Sequence, residues 1–412
     1  MGADDAGLRD EFEACFGGLA AIGRDPGGGW TRLAWTEEDR AARSWFRSEA
    51  GARGLTVEQD RAGNLWAWWG EAAAPEAVAV GSHLDTVPGG GAYDGALGVV
   101  SGLVAVGELA RRGIEPRRPV AVVAFADEEG GRFGLPTFGS RLLAGALDPA
   151  AVLGRADQDG VTVAEALAAA GLDPAAAGPE PERLGRLAGF VELHVEQGRA
   201  LADLGRPLAL GTAIWPHGRW RLTLTGEANH AGTTRLADRR DPMLGLAAAV
   251  LAARAAATEL GAVATIGRVL VEPNASNAVA GRVSAWLDAR AEQDRTLDWL
   301  VAAFEAAVEE AAGRNGLVTA FEQESRSPGV ALDRDLTDRL YSCLRDRGLE
   351  PAALPTAAGH DAGALAAAAP AAMLFVRNPT GTSHSPAETA GLDDCLTGVE
   401  ALAAVIEELA CR

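Results

Sequence analysis

Four short runs constrain this chain more than anything else in it: AVAVGSH at 77–83, PVAVVAFADEE at 119–129, GFVELHVEQG at 189–198 and AAMLFVRNP at 371–379. Each is apolar and turns polar at its C-terminal end. Strands exposed on one face alternate; near-continuous apolar runs are those of parallel strands buried on both faces. In such a sheet ligands bind beyond the carboxyl ends of the strands, where these polar residues lie. Helical patterns fall at 8–23, 36–52 and 95–112. The second starts at Thr36 with Glu37 and Glu38 in its first turn, and the third ends in ARRG, as the helix dipole favours.

Between the third and fourth runs the pattern changes. RWRLTLTGEA (219–228), ATIGRVLVEP (264–273) and GRVSAWLDAR (281–290) alternate like half-buried strands, and a further strand is expected at 317–324. Helices at 241–258 and 295–313 complete the order βαββαβ, that of a ferredoxin-like sandwich. The expected fold is therefore α/β. One domain, 1–210 with 326–412, has a mixed sheet flanked by helices, and a ferredoxin-like α+β domain at 211–325 is inserted into it. The stretch 145–186 reads as a surface helical excursion.

The loop GSHLDTVPGGGAYDGALGVV (81–100) has the glycines of a phosphate cradle but only acids and one histidine for charge. The whole chain carries a net charge of -20, which argues against a nucleic-acid or anionic-membrane partner. All 37 basic residues are arginine. Without lysine there is no Walker-type phosphate contact, no Schiff base and no pyridoxal attachment. Cys15, Cys343, Cys395 and Cys411 show no CxxC spacing, so a reducing cytoplasm is the expected compartment. The acidic N-terminus lacks an apolar signal core, and the apolar run at 362–376 is broken by Pro370 and too short to span a bilayer.

Acids in that loop suit cations. His83, His194, His360 and His384, with Asp85, Asp94, Glu128 and Glu129, offer the nitrogen and oxygen donors that divalent transition metals take. Any one histidine would pass for a core or surface residue; several at equivalent strand ends point to a metal site. Asp85 lies two residues from His83, so both side chains share one face of an extended segment, and its carboxylate could accept the ring N–H. Asp94, past the glycine turn, is expected to cap the next helix and can bridge two cations. The adjacent acids of DEEGG point apart, so one can bind metal while the other handles protons.

Together, GSHLDTVPGGGAYDGALGV, DEEGGRFG, TFGSR, ELHVEQG, GEANHAGTT, GHDA and GTSHSP resemble the dinuclear-metal aminoacylase and carboxypeptidase superfamily, the M20-type peptidase family. The resemblance is strongest to its amidohydrolase branch: N-carbamoyl-L-amino acid hydrolases, allantoate amidohydrolase and β-ureidopropionase. It spans nearly the whole chain. It implies two divalent ions per subunit (Zn, Mn, Co or Ni) bridged by Asp94, with His83 and His194 completing one and Glu129 and His384 the other. Glu128 would be the general base toward a metal-activated water, and Asp85 the residue that orients His83. His230, Asn277 and Arg290 of the insert, with Gln197, Gly359 and His360, would bind a small carboxylate-bearing substrate. The resemblance further implies a homodimer through the inserted domain, and domain closure over the substrate.

The implied reaction is hydrolysis of a linear C–N bond in an N-carbamoyl-L-amino acid or allantoate. The alternatives are an N-formyl- or N-formimidoyl-glutamate-like substrate, or a dipeptidase or aminoacylase activity. Trp215, His217, Arg219 and Arg377 stand where relatives are plainer. They are surface decoration or an enlarged cationic pocket for an acidic side chain. Trp220 and Trp286 are expected in the core.

Overall fold

The computed structural model describes residues 3–412, so Met1 and Gly2 of the acidic N-terminal stretch lie outside the described residues. The chain divides into two compact units: one runs to Thr212 and resumes at Ala331, the other is Ala213–Val330. The sequence reading placed these boundaries at 211 and 325. The C-terminal one moves because the last strand of the insert continues to Ser327.

In the first unit the four apolar runs are adjacent parallel strands, in the order Val120–Phe125, Ala77–His83, Leu187–Val195 and Ala371–Val376. They are buried almost throughout, which is why their sequences do not alternate. Antiparallel strands extend this sheet on both sides: Leu65–Trp69 and Thr56–Gln59 beyond Val120–Phe125, and Leu208–Ile214 beyond Ala371–Val376. The sequence reading missed these three. LWAWW has no β-branched residue, and LALGTAI is short and interrupted by glycine.

The helix Ala96–Arg111, buried on nearly every side, lies against the sheet beside Leu392–Ile406. Thr36 caps Glu37–Ala52 by accepting the Asp39 N–H, as its sequence indicated. The expected helix at 8–23 runs instead over Ala3–Ala20. The run 119–129 is strand only over Val120–Phe125. Beyond it the backbone turns, with Asp127 at φ 53, and three successive carbonyls, of Ala126, Asp127 and Glu128, accept the N–H groups of Gly139, Phe138 and Thr137. That turn takes the acids out of the sheet.

The second unit is a four-stranded antiparallel sheet in the order Val318–Ser327, His217–Thr225, Arg282–Arg290 and Val263–Glu272, the ferredoxin-like arrangement expected. Helices Pro242–Leu260 and Asp294–Arg314 cover one face through Leu246, Ala249 and Ala253, and Leu297, Leu300 and Phe304. Trp220 belongs to that core. Trp286 does not. Its neighbours Ala285 and Leu287 point inward, so strand alternation turns it to the opposite face. There Arg268 stacks over its ring at 4.3 Å and its indole N–H donates to Glu324. A short ladder pairs Asn229–His230 with Ala278–Val279. Among the described residues only Pro242–Leu260 is long and apolar enough to cross a membrane. The run 362–376 is instead divided between a short helix, Asp361–Leu365, and the strand Ala371–Val376.

Candidate metal centre

The parallel strands deliver their polar ends to one edge of the first unit's sheet. His83 closes its strand opposite Phe125, and His194 stands opposite Phe375. Asp94 lies on the loop after His83, and His384 on the loop after Ala371–Val376. Asp94 is the centre of the arrangement. Its Oδ1 is 3.4 Å from His83 Nε2 and 3.1 Å from His194 Nε2, while its Oδ2 is 3.5 Å from His384 Nε2. His384 Nε2 lies 3.4 Å from a Glu129 oxygen.

Two groups that could each hold a metal ion therefore share one carboxylate: His83, Asp94 and His194, and Asp94, Glu129 and His384. Within them His83 Nε2 and Glu129 Oε1 are buried with no hydrogen-bond partner. Buried polar atoms are seldom left so. Mixed imidazole and carboxylate donors with unsatisfied lone pairs fit a divalent transition metal. A third group, Glu192, His194 and His360, adjoins the first through His194.

Backbone carbonyls fix the histidine tautomers. His83 Nδ1 donates to the Asp85 carbonyl at 3.0 Å and His194 Nδ1 to the Val195 carbonyl at 2.7 Å, so each ring presents Nε2 to Asp94. This corrects the reading of Asp85, whose carboxylate lies 3.7 Å from the His83 ring. It instead accepts the backbone N–H groups of Glu128 and Glu129, at 3.1 and 3.0 Å. Asp94 is corrected too: the helix cap is Gly95, and no side chain caps it. Gly95 has φ 65, and a Cβ there would lie 2.4 Å from the His83 ring, so only glycine lets the helix start against that ligand. The Asp94 carboxylate is left for Gln197 and Ser383, which donate to Oδ2 at 2.8 and 3.2 Å.

Glu128 is buried, with Oε2 3.6 Å from His83 Nε2. Burial pushes its carboxyl well above the usual glutamate range; His83 opposes this, and Asp361, Glu129 and Asp85 add to it. Burial, with the charge of Asp94, pushes Glu129 up to about 8. Burial alone would also raise Asp94, but the His194 and His83 rings hold it well below the carboxylate range. In return, and against their own burial, Asp94 helps to raise both rings, His194 to about 9. Cations placed among these groups would favour ionised acids and neutral imidazoles.

Of the residues expected to bind substrate, Gln197 faces Asp94 and lies 3.5 Å from His384 Nε2. His360 is buried edge-on to His194, ring centres 4.6 Å apart, and burial keeps it neutral, well below the usual imidazole range. Gly359 precedes it in the turn before Asp361–Leu365. The other three stand on the second unit. His230 and Asn277 are exposed and joined by the short ladder, where the Ala231 N–H donates to the Asn277 carbonyl and His230 Nδ1 accepts the Gly232 N–H. Arg290 grips Asp288 through Nε at 2.8 Å and Nη2 at 3.3 Å, and Arg219 donates to the same carboxylate.

The enlarged cationic pocket loses Arg377, which holds Asp394 through two bonds of 2.8 Å. His217 is half-buried with its Nδ1 on the Trp215 carbonyl. Sequence reasoning missed Ser383 and Glu388, within four residues of His384, and Glu192, two before His194. It also missed Asn64, whose side chain bonds Ala126 N and Gly139 O, the two ends of the turn that carries Glu128. Acids at fixed short distances from a ligand were the available signal for Glu192 and Glu388. Nothing in GNLW marked Asn64.

Residues 79–408 match the model of peptidase family M20/M25/M40. An N-carbamoyl-L-amino acid amidohydrolase of Geobacillus stearothermophilus is 37% identical over 395 residues, covering 95% of this chain and 96% of that one. An allantoate amidohydrolase of Bacillus subtilis is 31% identical, with 95% of each chain covered. A crystal structure of a hydantoinase/carbamoylase family amidase from Burkholderia vietnamiensis superposes with a TM-score of 0.87 at 33% identity, covering 98% of both chains.

Proposed function

Since the chain belongs to the peptidase M20/M25/M40 family, whose members are metal-dependent, and is an amidohydrolase acting on non-peptide C–N bonds, we propose that it hydrolyses an N-carbamoyl-L-amino acid or allantoate with Glu128 as general base. One observation carries the reading of the site: two ligand sets meet on Asp94, and Glu128 lies beside one of them. His83, Asp94 and His194 would hold one divalent ion, and Asp94, Glu129 and His384 a second. Such ions act as Lewis acids, stabilising charge on the scissile carbonyl and supplying a nucleophile at neutral pH.

The protein's own groups do the rest. Glu128, oriented through its backbone by Asp85, accepts a proton from the attacking water and returns it to the leaving nitrogen. Burial raises its carboxyl in the metal-free chain, and bound cations would favour the ionised form that a base requires. With an N-carbamoyl amino acid, one water is consumed and the amino acid, ammonia and carbon dioxide are released. Gln197, Gly359 and His360 contribute polar contacts to the substrate; His230 and Asn277, on the second unit, are substrate contacts that the family resemblance implies. Arg290 binds its carboxylate, exchanging Asp288 for the ligand; a guanidinium fork pairs equally well with either.

A homodimer would pair through the second unit. Val263–Glu272 is an edge strand exposing Val263, Val269 and Leu270, and Pro242–Leu260 exposes Met243, Leu244, Val250 and Leu251. A bare apolar edge of this kind invites pairing.

The test is ammonia release from N-carbamoyl amino acids and allantoate, beside formate release from N-formylglutamate, with Zn, Mn, Co or Ni restored to stripped protein. Turnover of dipeptides or N-acyl amino acids in place of ureido substrates would overturn the assignment.

A further inference from the structure

The two loops that meet at the centre lie far apart in sequence, yet one side chain joins them. Glu388 is buried, 5% exposed. Its Oε1 accepts the backbone N–H groups of Tyr93 and Asp94, both at 3.0 Å. The Ser383 hydroxyl lies 3.2 Å from Asp94 Oδ2 and 3.3 Å from Glu388 Oε2, its one proton shared between the two carboxylates. The fit is close: a Cβ on Gly91 would lie 2.2 Å from Glu388 Oε1, so this stretch of the glycine loop must lack a side chain for the carboxylate to reach the backbone.

We propose that Glu388 is a positioning residue for the metal centre, fixing the Asp94 backbone so that its two carboxylate oxygens face the two ligand sets, and holding the His384 loop in register with it. The proposal rests on the metal-dependent reading above. Glu388 is no ligand itself, because both of its oxygens are taken up by the donors of the two loops. The arrangement resists rotation of Asp94 from two directions: two N–H bonds hold its main chain, and Ser383, itself held by Glu388, steadies Oδ2. Outer partners of this kind govern metal affinity nearly as strongly as the ligands do.

The test is zinc titration of the metal-stripped full chain by calorimetry, beside thermal melts of the stripped protein. E388A should bind zinc about 10–100-fold more weakly than the unaltered chain, and its kcat should fall while KM changes little. E388Q keeps an oxygen for the two N–H groups and should bind zinc more tightly than E388A. S383A, which leaves Glu388 in place, should show a smaller loss and serves if E388A does not fold. Unchanged zinc affinity in folded E388A or in S383A overturns the proposal, as does E388Q binding no better than E388A. A purely structural role would lower the melting temperature without moving zinc affinity. If the unaltered, folded chain takes up no zinc, the metal reading itself falls; if it binds and the variants match it, only the positioning role does.

Discussion

Asp85 reaches Glu128 through its backbone: the carboxylate accepts the Glu128 N–H at 3.1 Å while its second oxygen accepts that of Glu129 at 3.0 Å. One side chain thus orients both the proposed base and a proposed ligand. An amide can replace only one of those acceptors and would turn N–H toward N–H at the other. D85N is expected to fold but to lose roughly 10–100-fold in kcat. Steady-state kinetics with metal analysis of the same sample checks this, and unaltered kcat would count against the arrangement.

Glu128→Gln removes the proton acceptor and keeps the shape. The variant should retain the metal content of the unaltered chain and lose about 10²–10⁴-fold in turnover. Elemental analysis and ammonia release are the two measurements. Loss of metal together with activity would make Glu128 a ligand instead.

Metal binding should depend on pH in a definite direction. The rings of His83 and His194 are raised in the metal-free chain, His194 to about 9. At neutral pH they hold protons that an incoming ion must displace. Apparent affinity should therefore climb as pH rises from 6 toward 9, with protons released on binding. Zinc titrations in buffers of differing ionisation enthalpy count those protons, and a pH-independent affinity would contradict this. Chelation should abolish turnover and added metal restore it.

Arg290→Ala should raise KM for N-carbamoyl amino acids about 100-fold, the scale of a charge-assisted pair. Neutral carbamoyl amides should be nearly unaffected. Equal changes for both substrates would remove Arg290 as the carboxylate anchor.

Gly95→Ala combines a left-handed backbone with a clash against His83. Strain of that kind costs about 1–3 kcal/mol, so denaturant melts should shift even without metal, and zinc affinity should fall as the His83 ring is displaced.

What the sequence made legible follows from burial. The four central strands announced themselves because both of their faces are covered, and the candidate ligands because they end those strands or follow them closely. LWAWW was illegible as a strand because tryptophan and alanine fit several environments. Asp85 was assigned to the correct neighbourhood but the wrong partner. A spacing of two puts it on the face of His83, yet only the turn at Asp127 brings the backbone of Glu128 and Glu129 to its oxygens. Arg377 looked like a free cation until Asp394, seventeen positions on, closed around it. Glu388 stands four residues past His384, but nothing local records its partner 295 positions away.

That distance bears on how the protein is made. A ribosome delivers Tyr93 and Asp94 early, and the emerging chain must thread the whole inserted unit before Ser383, His384 and Glu388 leave the exit tunnel. Until then the nascent chain offers His83, Asp94, Glu129 and His194, and lacks His384 of the second candidate set. A metal centre built on these residues would therefore complete its second set only at the end of synthesis, when the first unit's sheet is complete.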